Sequence, residues 1–208
     1  MKRTLKLITA LLLASLTALH AADAPSKKPN ILFILADDLG WGDLRCYGNK
    51  AVDTPTIDAL ALQGVRLTAH YSPSPLCSPA RAGYLTGRFN HRTGAVDVPS
   101  NRGLDRLDLS EKTFGDYFRH AGYATALIGK WHNGKFPAEN FDFGRSYSGK
   151  HWIAQPDGTQ IHVTKKNEND ALDFLKQRPA DKPFCLTLAF VATHAEDDNP
   201  KQFLPQPE

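Results

Sequence analysis

Asn30-Ile31-Leu32-Phe33-Ile34-Leu35-Ala36-Asp37-Asp38 is a near-continuous apolar run that stops on two carboxylates. Apolar at almost every step rather than every second one, it has the pattern of a strand buried on both faces. Two later stretches repeat the form. Residues 123–128 lead into Gly129-Lys130-Trp131-His132, and residues 184–191 lead into Ala192-Thr193-His194. Residues 65–71 read as a further strand. Helix signals lie between these runs. Thr54 caps a helix that Pro55 opens, residues 55–63 form, and Gly64 stops. Ser78-Pro79 repeats the cap-plus-proline signal for a helix that Gly87 ends. Thr113 and Asp116 have capping-box spacing, and Phe114, Tyr117, Phe118 and Ala121 then share one helical face. Residues 169–177 are helical as well. Strands alternating with helices predict an α/β fold with a largely parallel sheet sandwiched by helices. Residues 133–165, rich in Gly, Asn and aromatics, read as a long irregular surface excursion.

The 208 residues carry 25 Lys and Arg against 22 Asp and Glu, with 41% hydrophobic and 23% charged residues. This composition excludes a disordered, collagenous or disulfide-dense chain. The formal charge of +3 comes from Lys2, Arg3 and Lys6. They precede an apolar run over residues 7–19 and an alanine-rich stretch, the order of a secretory signal peptide. That run is too short to span a bilayer comfortably, so no stable membrane anchor is expected. Residues 1–21 therefore read as a leader and the protein as exported, periplasmic or secreted. The polar, Pro-rich residues 22–29 read as a linker to a domain over 30–208. Without the leader the charges balance, which excludes a nucleic-acid binder. Export makes an odd cysteine count informative: of Cys46, Cys77 and Cys185, at least one is left over as a thiol or is something other than a thiol. Cys185, inside an apolar run, suits a buried spare.

Ligand sites in open α/β sheets lie beyond the carboxyl ends of the strands. A parallel sheet would bring Asp37, Asp38, Lys130, His132 and His194 to one such edge. Adjacent carboxylates suit a hard divalent cation, and no His/Cys cluster has zinc spacing. Cys77 stands at, or one residue before, the start of the helix that Ser78 opens. Free N–H groups and the helix dipole there favour an anion, and Arg81 lies about one turn on. From physics alone Cys77 is either a low-pKa nucleophile or a small buried thiol beside a capped helix.

The segment Cys77-Ser78-Pro79-Ala80-Arg81, continued by Leu85-Thr86-Gly87-Arg88, resembles the signature of the type I sulfatases of the alkaline-phosphatase-like superfamily, in which the cysteine becomes formylglycine. Tyr84 departs from the usual aliphatic residue. Gly122-Tyr123 leading to Gly129-Lys130-Trp131-His132 resembles the second signature. Asp37-Asp38-Leu39-Gly40-Trp41-Gly42-Asp43, Thr54-Pro55 with Asp58 and Leu60, and Pro183-Phe184 through Thr193-His194 are also family-like. The resemblance covers nearly all of residues 29–194. It implies sulfate ester hydrolysis, with Asp37, Asp38 and the modified Cys77 as calcium ligands. It also implies that the hydrated aldehyde at position 77 attacks sulfur, that Arg81 holds that side chain, and that Lys130 binds sulfate oxygens. His132 would act on the remaining hydroxyl, and His194 would bond sulfate near the leaving oxygen. A formylglycine-generating enzyme is the implied maturation partner, and an aldehyde at position 77 would account for the odd cysteine count.

Family members carry a further Asp-Asn pair and a later lysine, both well downstream of the residue matching His194, and this chain runs fourteen residues beyond it. Asp198-Asn199 is a nominal pair in a polar loop. The chain thus reads as the N-terminal portion of a sulfatase catalytic domain, expected to bind calcium poorly, to expose apolar edges and to be inactive alone. Competing readings are a phosphonate or phosphate ester hydrolase of the same superfamily and a non-catalytic protein binding sulfated glycans. Export favours a sulfated carbohydrate as substrate. Phe136, Phe141, Phe143, Tyr147 and Trp152 either line a sugar cleft or pack the 133–165 excursion onto the sheet.

Overall fold

A computed structural model of the chain describes residues 27–98, 103–147 and 149–203. The proposed leader lies outside the described residues. Four parallel strands form the main sheet: β1 (Ile31–Leu35), β2 (Ala124–Gly129), β3 (Phe143–Ser146) and β6 (Phe184–Ala189). Their spatial order is β1-β6-β2-β3. A separate antiparallel pair joins β4 (Trp152–Ala154) to β5 (Gln160–His162). The helices are α1 (Pro55–Gln63), α2 (Cys77–Thr86), α3 (Phe114–His120) and α4 (Val163–Gln177).

Register makes one edge of the sheet level. Leu35 pairs with Ala189, Gly129 with Ala189, and Gly129 with Ser146. The residues after β1, β6 and β2 therefore leave the sheet side by side, as a parallel α/β sheet requires for a shared site. Alternation then sorts the side chains. Leu127 joins Ala82, Leu85, Leu107, Trp131 and Phe141 on the face covered by α2 and α3. Ala124, Ala126 and Ile128 join Leu186, Leu188, Ala171 and Phe174 on the face covered by α4. β2 is buried throughout.

β1 differs from the sequence expectation. Phe33 packs against Tyr84, ring centroids 5.2 Å apart, but Leu32 and Ile34 are each 54% exposed. Ile34 pairs with Leu188 and so belongs to the α4 face, yet α4 packs over β2 and β6 and leaves β1 open. The expected strand over residues 65–71 does not form. Val65, Leu67 and Tyr71 are exposed and no neighbouring strand offers them a ladder, so the apolar pattern alone produces no sheet.

Local chemistry sets the helix ends. Thr113 and Asp116 make the reciprocal capping box of α3: Thr113 N–H donates to Asp116 Oδ2 (2.8 Å) and Asp116 N–H to Thr113 Oγ1 (3.4 Å). Phe114 and Phe118 pack inward, whereas Tyr117 and Ala121 are exposed. Thr54 precedes α1 without capping it; its hydroxyl accepts from Arg45 N–H and donates to Asp58. α2 begins at Cys77 with Leu76 as cap, because Ser78 is buried and its hydroxyl donates to the Asp105 carbonyl (2.6 Å) instead. α4 begins at Val163, six residues earlier than expected, with His162 Nδ1 accepting from Thr164 N–H. Its first two turns are polar and lack apolar periodicity, and the pairs Lys165–Glu168 and Lys166–Asp170 support them.

The 133–165 stretch is also more ordered than expected. It supplies β3, β4, β5 and the start of α4. Phe136 and Phe141 pack in the α2/α3 core, and Phe143 and Tyr147 against the α4 core. Trp152 sits edge-on to His162. Phe136, Phe141, Phe143 and Tyr147 thus pack the excursion onto the sheet, while Trp152 packs within the β4–β5 hairpin.

Candidate active site

The polar residues after three strands meet around one carboxylate. Asp37 is 5% exposed. Its Oδ1 accepts from Arg81 Nη2 at 2.9 Å and its Oδ2 from Lys130 Nζ at 2.5 Å. Arg81 closes the ring by donating Nη1 to the Lys130 carbonyl (2.7 Å). Burial would raise the Asp37 pKa, but the Arg81 charge and the Lys130 hydrogen bond and charge outweigh it and hold the carboxyl below its ordinary value. Two buried cations around one anion leave a net positive centre. The backbone supports it: Asp37 N–H donates to the Ala192 carbonyl (3.0 Å) and Thr193 N–H to the Asp37 carbonyl (2.7 Å).

Gly129 aims Lys130 into this centre. With φ +106°, it lets the strand turn where a Cβ would lie 1.9 Å from the Ala189 carbonyl oxygen, so only glycine fits. His132 also takes a positive φ, 53°. Partial loss of water, then the Lys130 and Arg81 charges, pull its pKa below the ordinary histidine value, against an upward pull from Asp37. The ring is therefore held neutral, the form that accepts a proton. His194 follows β6 with its Nε2 3.6 Å from the exposed Asp38 carboxylate.

Cys77 is half-buried and unpaired. It is the first residue of α2, where its own N–H and that of Ser78 precede the helical bonding pattern. Cys77, Arg81, Asp37 and Asp38 line one cleft of about 430 Å³ with Phe33, His70 and Tyr84. A helix N-terminus, the Arg81 guanidinium and a reactive position thus face the same space, which favours a bound oxyanion, whereas Lys130, His132 and His194 do not line this cleft. All the sequence-selected residues belong to this edge: Asp37, Arg81 and Lys130 in direct contact, Asp38 beside His194, His132 within the field of the cations, and Cys77 in the cleft. Cys185 is buried within β6, its thiol pushed up to about 11 by burial. Asn199 of the nominal pair donates to Glu196 (3.3 Å).

Sequence reading missed three participants. His70 reaches the cleft from the irregular stretch before α2. His151 and Glu196 brace the His194 turn. Their partners lie more than forty residues away in sequence, and no motif spacing marks them.

Calcium requires six to eight oxygen ligands. The described residues bring two carboxylates to the edge, and both oxygens of Asp37 already accept from cations. No group of three His, Cys, Asp or Glu among the described residues could hold a metal. These residues do not fit a calcium shell by themselves. The position of Cys77, by contrast, suits formylglycine: it is half-buried, on the cleft and beside Arg81.

The α/β parallel sheet with Asp37, Arg81 and Lys130 gathered at its carboxyl edge agrees with what the comparisons show of the class. A sequence model of the Sulfatase family matches residues 29–206, and the chain belongs to that family. It is 53% identical over 118 residues to human arylsulfatase D, spanning 53% of this chain and 20% of that one. It is 46% identical over 131 residues to human steryl-sulfatase (60% and 22%). Canine N-acetylgalactosamine-6-sulfatase is 33% identical over 228 aligned positions (89% and 43%). The chain thus spans less than half the length of these curated relatives. Among solved structures, BT4656 in complex with its substrate D-glucosamine-2-N,6-O-disulfate superposes with a TM-score of 0.71 and 34% identity, covering 81% of this chain and 35% of that one. Ps i-CgsB in complex with k-i-k-neocarrahexaose gives 0.69 and 28%, covering 81% and 46%. The expected fold class holds.

Proposed function

We propose that this chain carries the sulfate-binding and nucleophilic half of a sulfatase that hydrolyses sulfate esters of carbohydrates. The carrying observation is the Arg81–Asp37–Lys130 centre set against the α2 N-terminus at Cys77. Two cations and free N–H groups complement an anion whose charge grows in the transition state. The named relatives are sulfatases, and two similar structures hold sulfated or carrageenan-type sugars.

Formylglycine made from Cys77 by a generating enzyme would supply, as its hydrate, one hydroxyl to attack sulfur and a second whose deprotonation releases sulfate. Arg81 orients that side chain. Lys130, one contact away on Asp37, turns toward the sulfate oxygens. His132, held neutral, takes the proton of the second hydroxyl. His194 faces the leaving oxygen and donates the proton it needs. Asp37, Asp38 and position 77 are what this chain would offer to the calcium ion of its family, and no step here runs through that ion. Export through residues 1–21 is part of the proposal, on the leader pattern. Among the described residues no helix is long and apolar enough to cross a membrane.

The test uses the chain co-expressed with a formylglycine-generating enzyme and assayed on an aryl sulfate and an aryl phosphate. Hydrolysis of the sulfate that Cys77→Ala abolishes supports the proposal. Faster hydrolysis of the phosphate contradicts it, as does turnover that survives Cys77→Ala.

A further inference from the structure

The β4–β5 hairpin adds no strand to the main sheet, yet the two histidines flanking it are buried: His151 is 5% and His162 6% exposed. His162 has a local task, the cap of α4. His151 reaches across the molecule. Its backbone N–H donates to Glu196 Oε2 (2.8 Å), and its carbonyl accepts from Val163 N–H (2.7 Å). Its ring Nε2 lies 2.9 Å from the carbonyl oxygen of His194. A carbonyl only accepts, so the ring nitrogen is the donor.

One residue thus grips both ends of the short turn that carries His194. Glu196, 7% exposed, is filled by further donors, Lys150 Nζ at 3.2 Å and Asn199 Nδ2 at 3.3 Å. On the other side, His194 N–H donates to the Val191 carbonyl (3.0 Å). The backbone of His194 is therefore tied at its N–H and at its C=O, its ring Nδ1 donates to the Ala195 carbonyl of the same turn, and its Nε2 faces Asp38. We propose that His151 is a positioning residue: it fixes the His194 backbone so that the imidazole stays at the carboxyl edge of the sheet. It touches no reacting atom. Without the His151 donor the His194 carbonyl loses its partner and the turn relaxes, and a displacement of about 1 Å at a reacting group is enough to lower a rate by about 100-fold. The catalytic consequence rests on the sulfatase reading; the geometric one does not.

The test compares wild type with His151→Leu, His151→Asn and His151→Gln, each with ¹⁵N-labelled imidazoles and a His194→Gln spectrum for assignment. Gln keeps a donor long enough to reach the His194 carbonyl, Asn is too short, and Leu has none. The expected result is a shifted or broadened His194 ring resonance in the Leu and Asn variants and a near-native one in the Gln variant. On an aryl sulfate, the Leu and Asn variants lose about 10- to 100-fold in kcat at nearly constant KM, and Gln recovers most of the loss. A His194 resonance unchanged in Leu and Asn overturns the proposal. If the Leu variant does not fold, the Asn/Gln pair decides, since both are polar. If wild type turns over no aryl sulfate, as expected of this chain alone, the His194 resonance decides the role of His151; hydrolysis of an aryl phosphate in preference to the sulfate is what would sink the sulfatase reading.

Discussion

The interior of the sheet and its β1 edge are built to different standards. β2 is buried on both faces and delivers Lys130 through a glycine that no other residue can replace. β1 is covered on one face only, with Leu32 and Ile34 open, and the α1 helix that follows buries no residue at all. Yet β1 delivers Asp37, the carboxylate on which the site is centred. The difference teaches where the order of the site comes from. Asp37 is not held by the packing of its own strand; it is held by Arg81 and Lys130, cations rooted in α2 and β2, and by backbone bonds to the turn after β6.

The sharpest way to break this comparison is Gly129→Ala. Its Cβ would meet the Ala189 carbonyl at 1.9 Å, and loss of the cooperative thermal transition is expected. The equivalent insult on the β1 edge, Leu32→Ser, is expected to change stability by less than about 0.5 kcal/mol, read as an unchanged midpoint in urea. Asp37→Asn comes next. It leaves two buried cations with a neutral partner, and breaking a buried pair costs about 3–5 kcal/mol. The same variant has a pH signature. Because the folded pKa of Asp37 is depressed, its stabilisation is present above the unfolded value near 4. It is lost as pH falls through the lower folded value. Wild-type stability should thus decline in acid with a limb that Asp37→Asn lacks, measured by urea melts across the acid range.

His132 acts in the same direction at a higher pH. Its folded pKa is lowered, so the folded state resists the proton that the unfolded state accepts near 6.5. Stability therefore rises with pH through that region, and His132→Gln should flatten the rise. An NMR titration placing the His132 midpoint at or above 6.5 would contradict the cationic environment described here. Thr113→Ala has the smallest expected cost, about 1 kcal/mol for a lost helix cap, seen as a modest fall in melting temperature without effect on the site.

Much of this was legible in the sequence. The runs ending at Asp37, Lys130 and Thr193-His194 place polar groups after apolar strands, and a parallel sheet converts that order into proximity. Asp116 three residues after Thr113 marked a helix start. What escaped reading has physical reasons. Residues 65–71 carry strand composition without a partner to pair with. Residues 163–168 begin a helix through capping and ion pairs, with no apolar stripe to announce it. The aromatics between Phe136 and Trp152 carry no sign of whether they meet a sugar or a core, and only the fold assigns them to packing. His151 and Glu196 are invisible because their role lies in a contact across more than forty residues.

Calcium offers a further test of the divided site. With both Asp37 oxygens engaged and two carboxylates in place of a full shell, titration of calcium into this chain should show no binding tighter than about 1 mM. Micromolar binding would mean that oxygen ligands beyond those described complete the site.

The most direct test is the mass of the tryptic peptide spanning residues 67–81, from chain matured beside a formylglycine-generating enzyme. The account predicts an aldehyde in place of the thiol at position 77. An intact cysteine in every molecule would contradict the placement of the nucleophile there, and with it the reading of this edge as a sulfatase site.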